Sequence, residues 1–151
     1  MTKDVISCLQ DQKVSDIIDI LNENSFRMIP VVDENNKILG ALNTINLLSK
    51  LVPEYIVKGY LKSIPYAPDM GLLRKHYKQI LDIEVAELMD RNPTIVHENE
   101  SLLSVTAELI THDRFEYAMV ANKDNELVGI IASSDVLRCL GKFTPEELFD
   151  A

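Results

Sequence analysis

The stretch "GIIASSDVLRCL" at residues 129–140 has the same pattern as "GALNTINLLSKL" at residues 40–51, which lies 89 positions earlier. In each, a glycine and two apolar residues lead through a short polar turn into an apolar helix. The later stretch carries an acid, Asp135, where the earlier one carries Asn46. The same offset aligns further apolar, serine and glycine positions without a gap. The chain is therefore predicted to contain two copies of one structural unit.

Each copy reads as strand, helix, strand, turn, strand and helix. The first copy runs through "DVISC", a helix opened by Ser15 ("SDIIDILNENS"), "MIPVV", the turn "DENNK", "ILGAL" and the helix "NTINLLSKL". The second runs through "PTIVH", "SLLSVTAELITH", "YAMVA", "NKDNE", "LVGIIA" and "SSDVLRCL". The short apolar runs indicate strands buried on both faces, and the Asp and Asn residues between them favour tight turns. The prediction is an α/β fold of two β-α-β-β-α repeats, packed as a pseudo-twofold pair because one unit cannot close its own core.

These patterns divide the chain into four parts. Residues 1–51 form repeat 1, residues 52–84 a helical insert, residues 85–142 repeat 2, and residues 143–151 a short terminal helix that starts with the capping box of "TPEELF". The lead-in "VAELMDRNP" of repeat 2 has no counterpart before "MTKDV". Either repeat 1 is naturally shorter or the chain is a fragment of a longer protein.

The insert is too apolar for a solvated linker. Leu72, Leu73, His76, Tyr77 and Ile80 recur at helical spacing and predict one helix with a single apolar stripe. An earlier helix is predicted near residues 55–61. The tyrosines of the insert are more simply explained by core or dimer packing than by ring stacking on a ligand.

Composition excludes several classes of function. The formal net charge of −9 argues against nucleic acid and anionic membranes, and no apolar run approaches the roughly 20 residues that span a bilayer. Cys8 and Cys139 stand alone, as buried reduced thiols of a cytoplasmic protein do. The histidines share no ligand spacing with them, so no metal site is expected. No nucleophile with a base partner and no phosphate-binding glycine loop is present, so no enzyme activity is expected.

The segments "VAELM...PTIV", "MIPVVDENNKILGAL" and "GIIASSDVL" resemble the cystathionine-β-synthase (CBS) domain, present twice as a Bateman module. The resemblance covers nearly the whole chain apart from the insert and the last residues. It implies two clefts between the repeats that hold adenosine compounds such as AMP, ADP, ATP or S-adenosylmethionine. It also implies a homodimer formed through the repeat helices, and a regulatory function in which a small ligand changes the dimer packing.

The resemblance also assigns site residues. In the family motif, a glycine, two apolar residues and a hydroxyl precede an acid that binds the ribose hydroxyls, while the helix amides meet phosphate. Repeat 2 matches this motif at Gly129 and Asp135, but Ala132 replaces the hydroxyl and only Ser133 and Ser134 follow.

Other positions complete the candidate sites. The adenine base is expected against the neighbouring strands, and a phosphate near a cation: Thr94, Ile95, Val96, Tyr117, Met119 and Arg27. Repeat 1 offers a weaker site, because neutral amides stand at its motif positions, with Asn43, Asn46 and Ile6 as the counterparts of Ala132, Asp135 and Ile95.

Two alternatives stay open from the residues. A serine and an acid at the start of a helix also serve as an N-cap and as a favourable charge for the helix dipole, so Asp135 is either a ribose ligand or a capping residue. Both motifs are degraded, which is also typical of a ligand-free structural dimer. The missing hydroxyl and the negative charge favour AMP or cationic S-adenosylmethionine over ATP.

Overall fold

The computed structural model describes residues 1–52, 70–111 and 116–142. Two compact units are present: Met1–Ile6, Asn35–Ile38 and Asn92–Ala151 form one, called unit A here, and Ser7–Glu34 and Leu39–Arg91 form the other, unit B. The helices predicted near residues 55–61 and within residues 143–151 lie outside the described residues.

The β-α-β-β-α order of repeat 1 is confirmed. Its strands form a three-stranded sheet in the order β1-β2-β3, with β1 parallel to β2. The elements are β1 (Cys8–Leu9), α1 (Val14–Asn24), β2 (Met28–Val32), β3 (Ile38–Asn43) and α2 (Thr44–Leu51). Helix α1 begins at Val14, one residue before the predicted start at Ser15, because Lys13 takes the N-cap conformation.

Repeat 2 has the same order. Strand β4 runs parallel to β5 and β5 runs antiparallel to β6, so the second sheet is also mixed. The elements of the insert and of repeat 2 are α3 (Met70–Leu81), α4 (Val85–Leu88), β4 (Ile95–His97), α5 (Leu102–Thr111), β5 (Tyr117–Ala121), β6 (Leu127–Ala132) and α6 (Ser133–Gly141). The α/β fold class with two three-stranded mixed sheets is therefore confirmed.

Each unit has its own apolar core. In unit B, Ile17 of α1, Ile29 of β2 and Leu42 of β3 are fully buried together. Ile80 of α3 joins the same core, whereas Tyr77 on the neighbouring turn is 40% exposed and does not, which leaves dimer packing as its predicted role. The apolar stripe of α3 is narrower than its sequence suggested.

The core of unit A lies between the second sheet and its helices. Val96 of β4 and Val120 of β5 are paired in register and pack with Val105 and Leu109 of α5 and Val136 of α6. Because side chains alternate between the two faces of a strand, this register puts every second residue of β4 and β5 into the core.

The motif glycines allow two chain segments to approach closely. In unit B, the Asp90 and Ala41 backbones exchange two hydrogen bonds of 2.8 and 3.0 Å, and a Cβ on Gly40 would collide with the Asp90 carbonyl oxygen. In unit A, Thr2 and Ile130 exchange two bonds of 2.9 Å in the same way. The glycine at each motif is thus required by backbone packing.

The turns of the two repeats meet within unit A. Asn36 and Asn125 both have left-handed backbones, with φ of 63° and 62°. The Asn36 amide donates to the Leu127 carbonyl at 2.9 Å, and the Asn125 amide donates to the Ile38 carbonyl at 3.5 Å. Backbone N–H groups of Ile38 and Leu127 donate to Asn125 and Asn36 in return. The turns therefore form one reciprocal hydrogen-bonded pair.

Within the described ranges, no helix combines the length and the apolar character needed to cross a membrane.

Candidate functional site

The start of α6 is positioned by the backbone of the neighbouring strand. The Ser133 N–H donates to the Glu116 carbonyl at 2.9 Å, just before β5 begins. Ala132, not Ser133, occupies the N-cap position, and its methyl side chain accepts no hydrogen bond from the amides of α6. A serine N-cap at Ser133 is therefore not formed, because the helix starts at Ser133, one residue earlier than a cap at that residue would require. The Ser133 amide is thus already engaged by Glu116, whereas the N-cap side chain leaves the next two amides of α6, those of Ser134 and Asp135, uncapped.

Asp135 is held from two sides. Its Oδ2 accepts a hydrogen bond from the Ala132 N–H at 2.8 Å, and its Oδ1 accepts one from Arg138 at 3.1 Å. The side chain is 15% exposed, against 66% for Arg138. Asp135 thus caps the helix by reaching back to its N-cap amide. A carboxylate has about four acceptor positions, so this capping leaves room for two hydroxyl donors.

The sheet register decides which predicted base-contacting residues share a face. Ile95 lies opposite Met119, and Tyr117 lies opposite Ala132. Because residues in register share a face and residues two apart along a strand do too, these four lie together, next to the start of α6. Val96 belongs to the opposite face, in the core beneath the helices.

Two further predicted residues lie beside this face. The Thr94 carbonyl accepts a hydrogen bond from the Met119 N–H at 3.0 Å, and Ser134 is exposed in the first turn of α6. Met119 is fully buried. Arg27 belongs to unit B, where its side chain is exposed and its carbonyl accepts a hydrogen bond from the Thr44 N–H at 3.0 Å.

The equivalent turn of repeat 1 is closed by its own side chains. Asn43 is buried at 4% exposure, and its Oδ1 accepts a hydrogen bond from the Asn46 N–H at 2.8 Å. The Asn46 amide donates to the Leu88 carbonyl at 3.4 Å. Ile6 belongs to unit A and is 40% exposed. The two amides of repeat 1 therefore stabilise α2 and connect it to α4.

A cavity of about 390 Å³ lies on the helix side of unit A. Its described lining comes from one face of each helix, with Glu116 at the strand entry: Thr106, Leu109 and Ile110 of α5, and Ser133, Val136 and Leu137 of α6. Sequence reasoning missed this cavity. The repeated i, i+3, i+4 spacing in both helices was the available signal.

Local surroundings shift the pKa of Glu100 and that of Cys8. Hydrogen bonds from the His97 N–H and the Ser104 hydroxyl lower the pKa of Glu100, which lies just before α5. Burial raises the pKa of the Cys8 thiol to about 12. Among the described residues, no cluster of histidine, cysteine or acidic side chains fits a metal ion.

The CBS domain family model matches residues 1–53 and 85–142 of the chain. The uncharacterized protein MJ0188 of Methanocaldococcus jannaschii is 26% identical over 149 residues, which is 98% of this chain and 45% of that protein. The chain thus spans less than half the length of this relative.

Solved structures share the fold. CBSX2 in complex with AMP is similar with a TM-score of 0.69 at 22% identity, covering 94% of this chain and 92% of CBSX2. The cytosolic domain of the Mg²⁺ channel MgtE in complex with ATP is similar with a TM-score of 0.66 at 20% identity, covering 92% of this chain and 46% of that one.

Proposed function

This chain belongs to the CBS domain family as a tandem pair, a Bateman module, and on that premise we propose that it is a non-catalytic regulatory module that binds an adenosine-containing ligand at the start of α6. Asp135 accepts hydrogen bonds from the ribose hydroxyls. The face formed by Ile95, Tyr117 and Ala132 lies against the base, and the first amides of α6 approach the phosphate.

The difference between the two repeats carries this proposal. In repeat 1, Asn43 caps the helix amides and Asn46 is bound to the Leu88 carbonyl. In repeat 2, the N-cap residue Ala132 has no side-chain acceptor for the helix amides, and Asp135 is a charged acceptor with unused positions. An N-terminus with free amides beside a carboxylate provides donors for an anion and acceptors for a diol.

The comparisons support an adenosine compound as the ligand class. Two solved structures of the same fold are complexes with such ligands: CBSX2 with AMP, and the cytosolic domain of MgtE with ATP. Within this class, the alanine at position 132 removes a hydroxyl that would hold phosphate, and the net charge of −9 opposes highly anionic ligands. AMP or S-adenosylmethionine is therefore favoured over ADP and ATP.

Thermal unfolding with adenosine, AMP, ADP, ATP and S-adenosylmethionine tests the proposal. A ligand at 100 times its dissociation constant adds about 2.7 kcal/mol to the free energy of unfolding. At about 2–4 °C per kcal/mol for a chain of this size, the midpoint rises by roughly 5–11 °C. A chain whose midpoint is unmoved by all five compounds does not bind them, and the proposal fails.

The variant Asp135→Asn tests the proposed ligand site at the start of α6 directly. The amide keeps the size of the side chain but replaces a charged acceptor with a neutral one, at a cost of about 1 kcal/mol per ribose hydrogen bond. Two such bonds predict a loss of affinity of about 30-fold by calorimetric titration. Asp124→Asn, on an exposed turn of the same unit, makes the same charge change as a control and leaves the affinity unchanged.

A second candidate function, a structural dimerisation module, is favoured by exposed apolar side chains on the helices. Leu103 and Ile110 of α5 and Leu137 of α6 are 81%, 71% and 72% exposed. Ile110 and Leu137 also line the apolar cavity between these helices. Solvent contact of such side chains is unfavourable, and a second copy of the chain covers them in this proposal.

Sedimentation of the chain and of Leu137→Glu separates the two functions. In a dimer held by these helices, the glutamate is buried against apolar side chains and shifts the chain to monomer. Thr111→Glu adds the same charge at an exposed polar position of α5 and leaves the dimer intact. A wild-type chain that sediments as a monomer at high concentration overturns the dimer.

A further inference from the structure

Asp135 and Arg138 form an ion pair at the candidate ligand site. The Arg138 Nη1 donates to the Asp135 Oδ1 at 3.1 Å, from one turn further along α6. The guanidinium reaches back from a side chain that is 66% exposed, whereas the carboxylate is 15% exposed. The positive charge therefore lies at the solvent side of the acid.

The pair belongs to repeat 2 alone. At the equivalent positions, repeat 1 carries Asn46 and Ser49, and the Ser49 hydroxyl donates to the Asn46 carbonyl at 2.7 Å. Helix α2 forms with these uncharged residues in the same place. The fold of the repeat therefore does not require the ion pair.

The ion pair changes the charge of the site but leaves acceptor positions on the Asp135 carboxylate available. Arg138 and the Ala132 N–H engage one acceptor position on each carboxylate oxygen, which leaves about two positions for a ribose diol. A carboxylate alone, in a chain of net charge −9, attracts a cationic ligand and repels an anionic one. The guanidinium at 3.1 Å offsets part of this local negative charge.

We propose that Arg138 determines the ligand class: by offsetting part of the Asp135 charge, it makes the site prefer an anionic adenylate such as AMP over cationic S-adenosylmethionine. This inference rests on the proposed binding of an adenosine compound at Asp135. Neutral adenosine contains the base and the ribose but no ionic group, so its affinity is independent of Arg138 and serves as an internal reference.

Calorimetric titration of Arg138→Gln with AMP, adenosine and S-adenosylmethionine tests the inference. Exposed ion pairs have couplings that correspond to about 2- to 5-fold in affinity. We expect AMP to bind about 2- to 5-fold more weakly, S-adenosylmethionine to bind more tightly by a similar factor, and adenosine to be unchanged. Arg138→Lys keeps the charge and retains the wild-type preference. Lys142→Gln removes a charge from an exposed residue at the other end of α6 and leaves the ratio unchanged.

The outcomes separate this inference from the function beneath it. If the folded wild-type chain binds none of the three compounds, the proposed function fails and the inference fails with it. If the compounds bind but Arg138→Gln leaves the AMP to S-adenosylmethionine ratio unchanged, only the inference is overturned. An equal loss for all three ligands, adenosine included, also overturns it, because Arg138 then only positions the carboxylate.

Discussion

Replacement of Gly40 by alanine tests the close packing that the motif glycine permits. Gly40 is buried, and a Cβ there would collide with the backbone carbonyl oxygen of Asp90. This contact differs from a clash with a flexible side chain, because the same carbonyl accepts a 3.0 Å hydrogen bond from the Ala41 N–H and Asp90 donates one of 2.8 Å in return. The added methyl group therefore has to displace a hydrogen-bonded backbone segment.

The expected cost follows from these contacts. Overpacking of a close-packed site costs about 1–3 kcal/mol, and the two exchanged hydrogen bonds are worth about 1 kcal/mol each if both are lost. We expect Gly40→Ala to lower the free energy of unfolding by about 2 kcal/mol if the displaced segment keeps both hydrogen bonds, which corresponds to about 4–8 °C in the unfolding midpoint. Urea and thermal unfolding, followed by circular dichroism, measure both quantities.

Two other glycines provide controls. Gly141, in the last turn of α6, has no atom within 4 Å of an added Cβ, so Gly141→Ala is expected to raise stability by about 0.5 kcal/mol through helix propensity. An alanine at Gly129 meets the Met1 Sδ at 2.7 Å and the Thr2 carbonyl at 2.8 Å. Because Met1 is a flexible side chain and the Thr2 oxygen lies farther from the added Cβ than the Asp90 oxygen does at Gly40, this variant should fall between the other two. A Gly40→Ala chain as stable as the wild type would refute the reasoning.

Three further predictions concern the turns, the buried thiol and the sheet face. Asn36→Ala should lower the free energy of unfolding in urea by about 1–2 kcal/mol, since alanine is strained at φ of 63° and the 2.9 Å hydrogen bond to the Leu127 carbonyl is lost. Asn36→Gly tolerates the left-handed backbone and should lower it less. Equal losses for the two variants would contradict this. Burial raises the pKa of Cys8 to about 12. The stabilisation from its neutral thiol is therefore complete below the unfolded pKa of about 8.5 and is lost as pH rises toward 12. Cys8→Ala should abolish that pH dependence of the free energy of unfolding, and half-buried Cys139 should react with iodoacetamide before Cys8. Val96→Ala should lower stability by about 1–3 kcal/mol without changing AMP affinity, because Val96 faces the core; a selective loss of AMP binding would place Val96 at the ligand.

The arrangement of strands and helices was accessible from the sequence because it depends on local patterns. Apolar runs such as "MIPVV" and "YAMVA" are strands that are buried along nearly their whole length, and the turns "DENNK" and "NKDNE" place Asn36 and Asn125 at the left-handed positions. The repeat itself predicted two units with the same order of strands and helices, because the same pattern recurs at one offset.

The helix ends were less accessible. The sequence suggested a serine cap for α6, but the cap position falls on Ala132 and the acid three residues later supplies the capping bond. This follows from the backbone bond between the Ser133 N–H and the Glu116 carbonyl, which sets where the helix begins. No local pattern encodes that contact, since its partners are 17 residues apart.

The sequence by itself determined the repeat, the order of its elements and the asymmetry between Asp135 and Asn46, because all three depend on residue types at regular spacing. Only the tertiary structure decided that Val96 faces the core while Ile95 and Tyr117 lie beside the start of α6. It also decided that the Asn43 side chain caps the turn of repeat 1 and that the Asp90 backbone packs directly against Gly40. The physical reason is that strand register and chain crossing depend on residues distant in sequence, whereas periodicity is a property of neighbours.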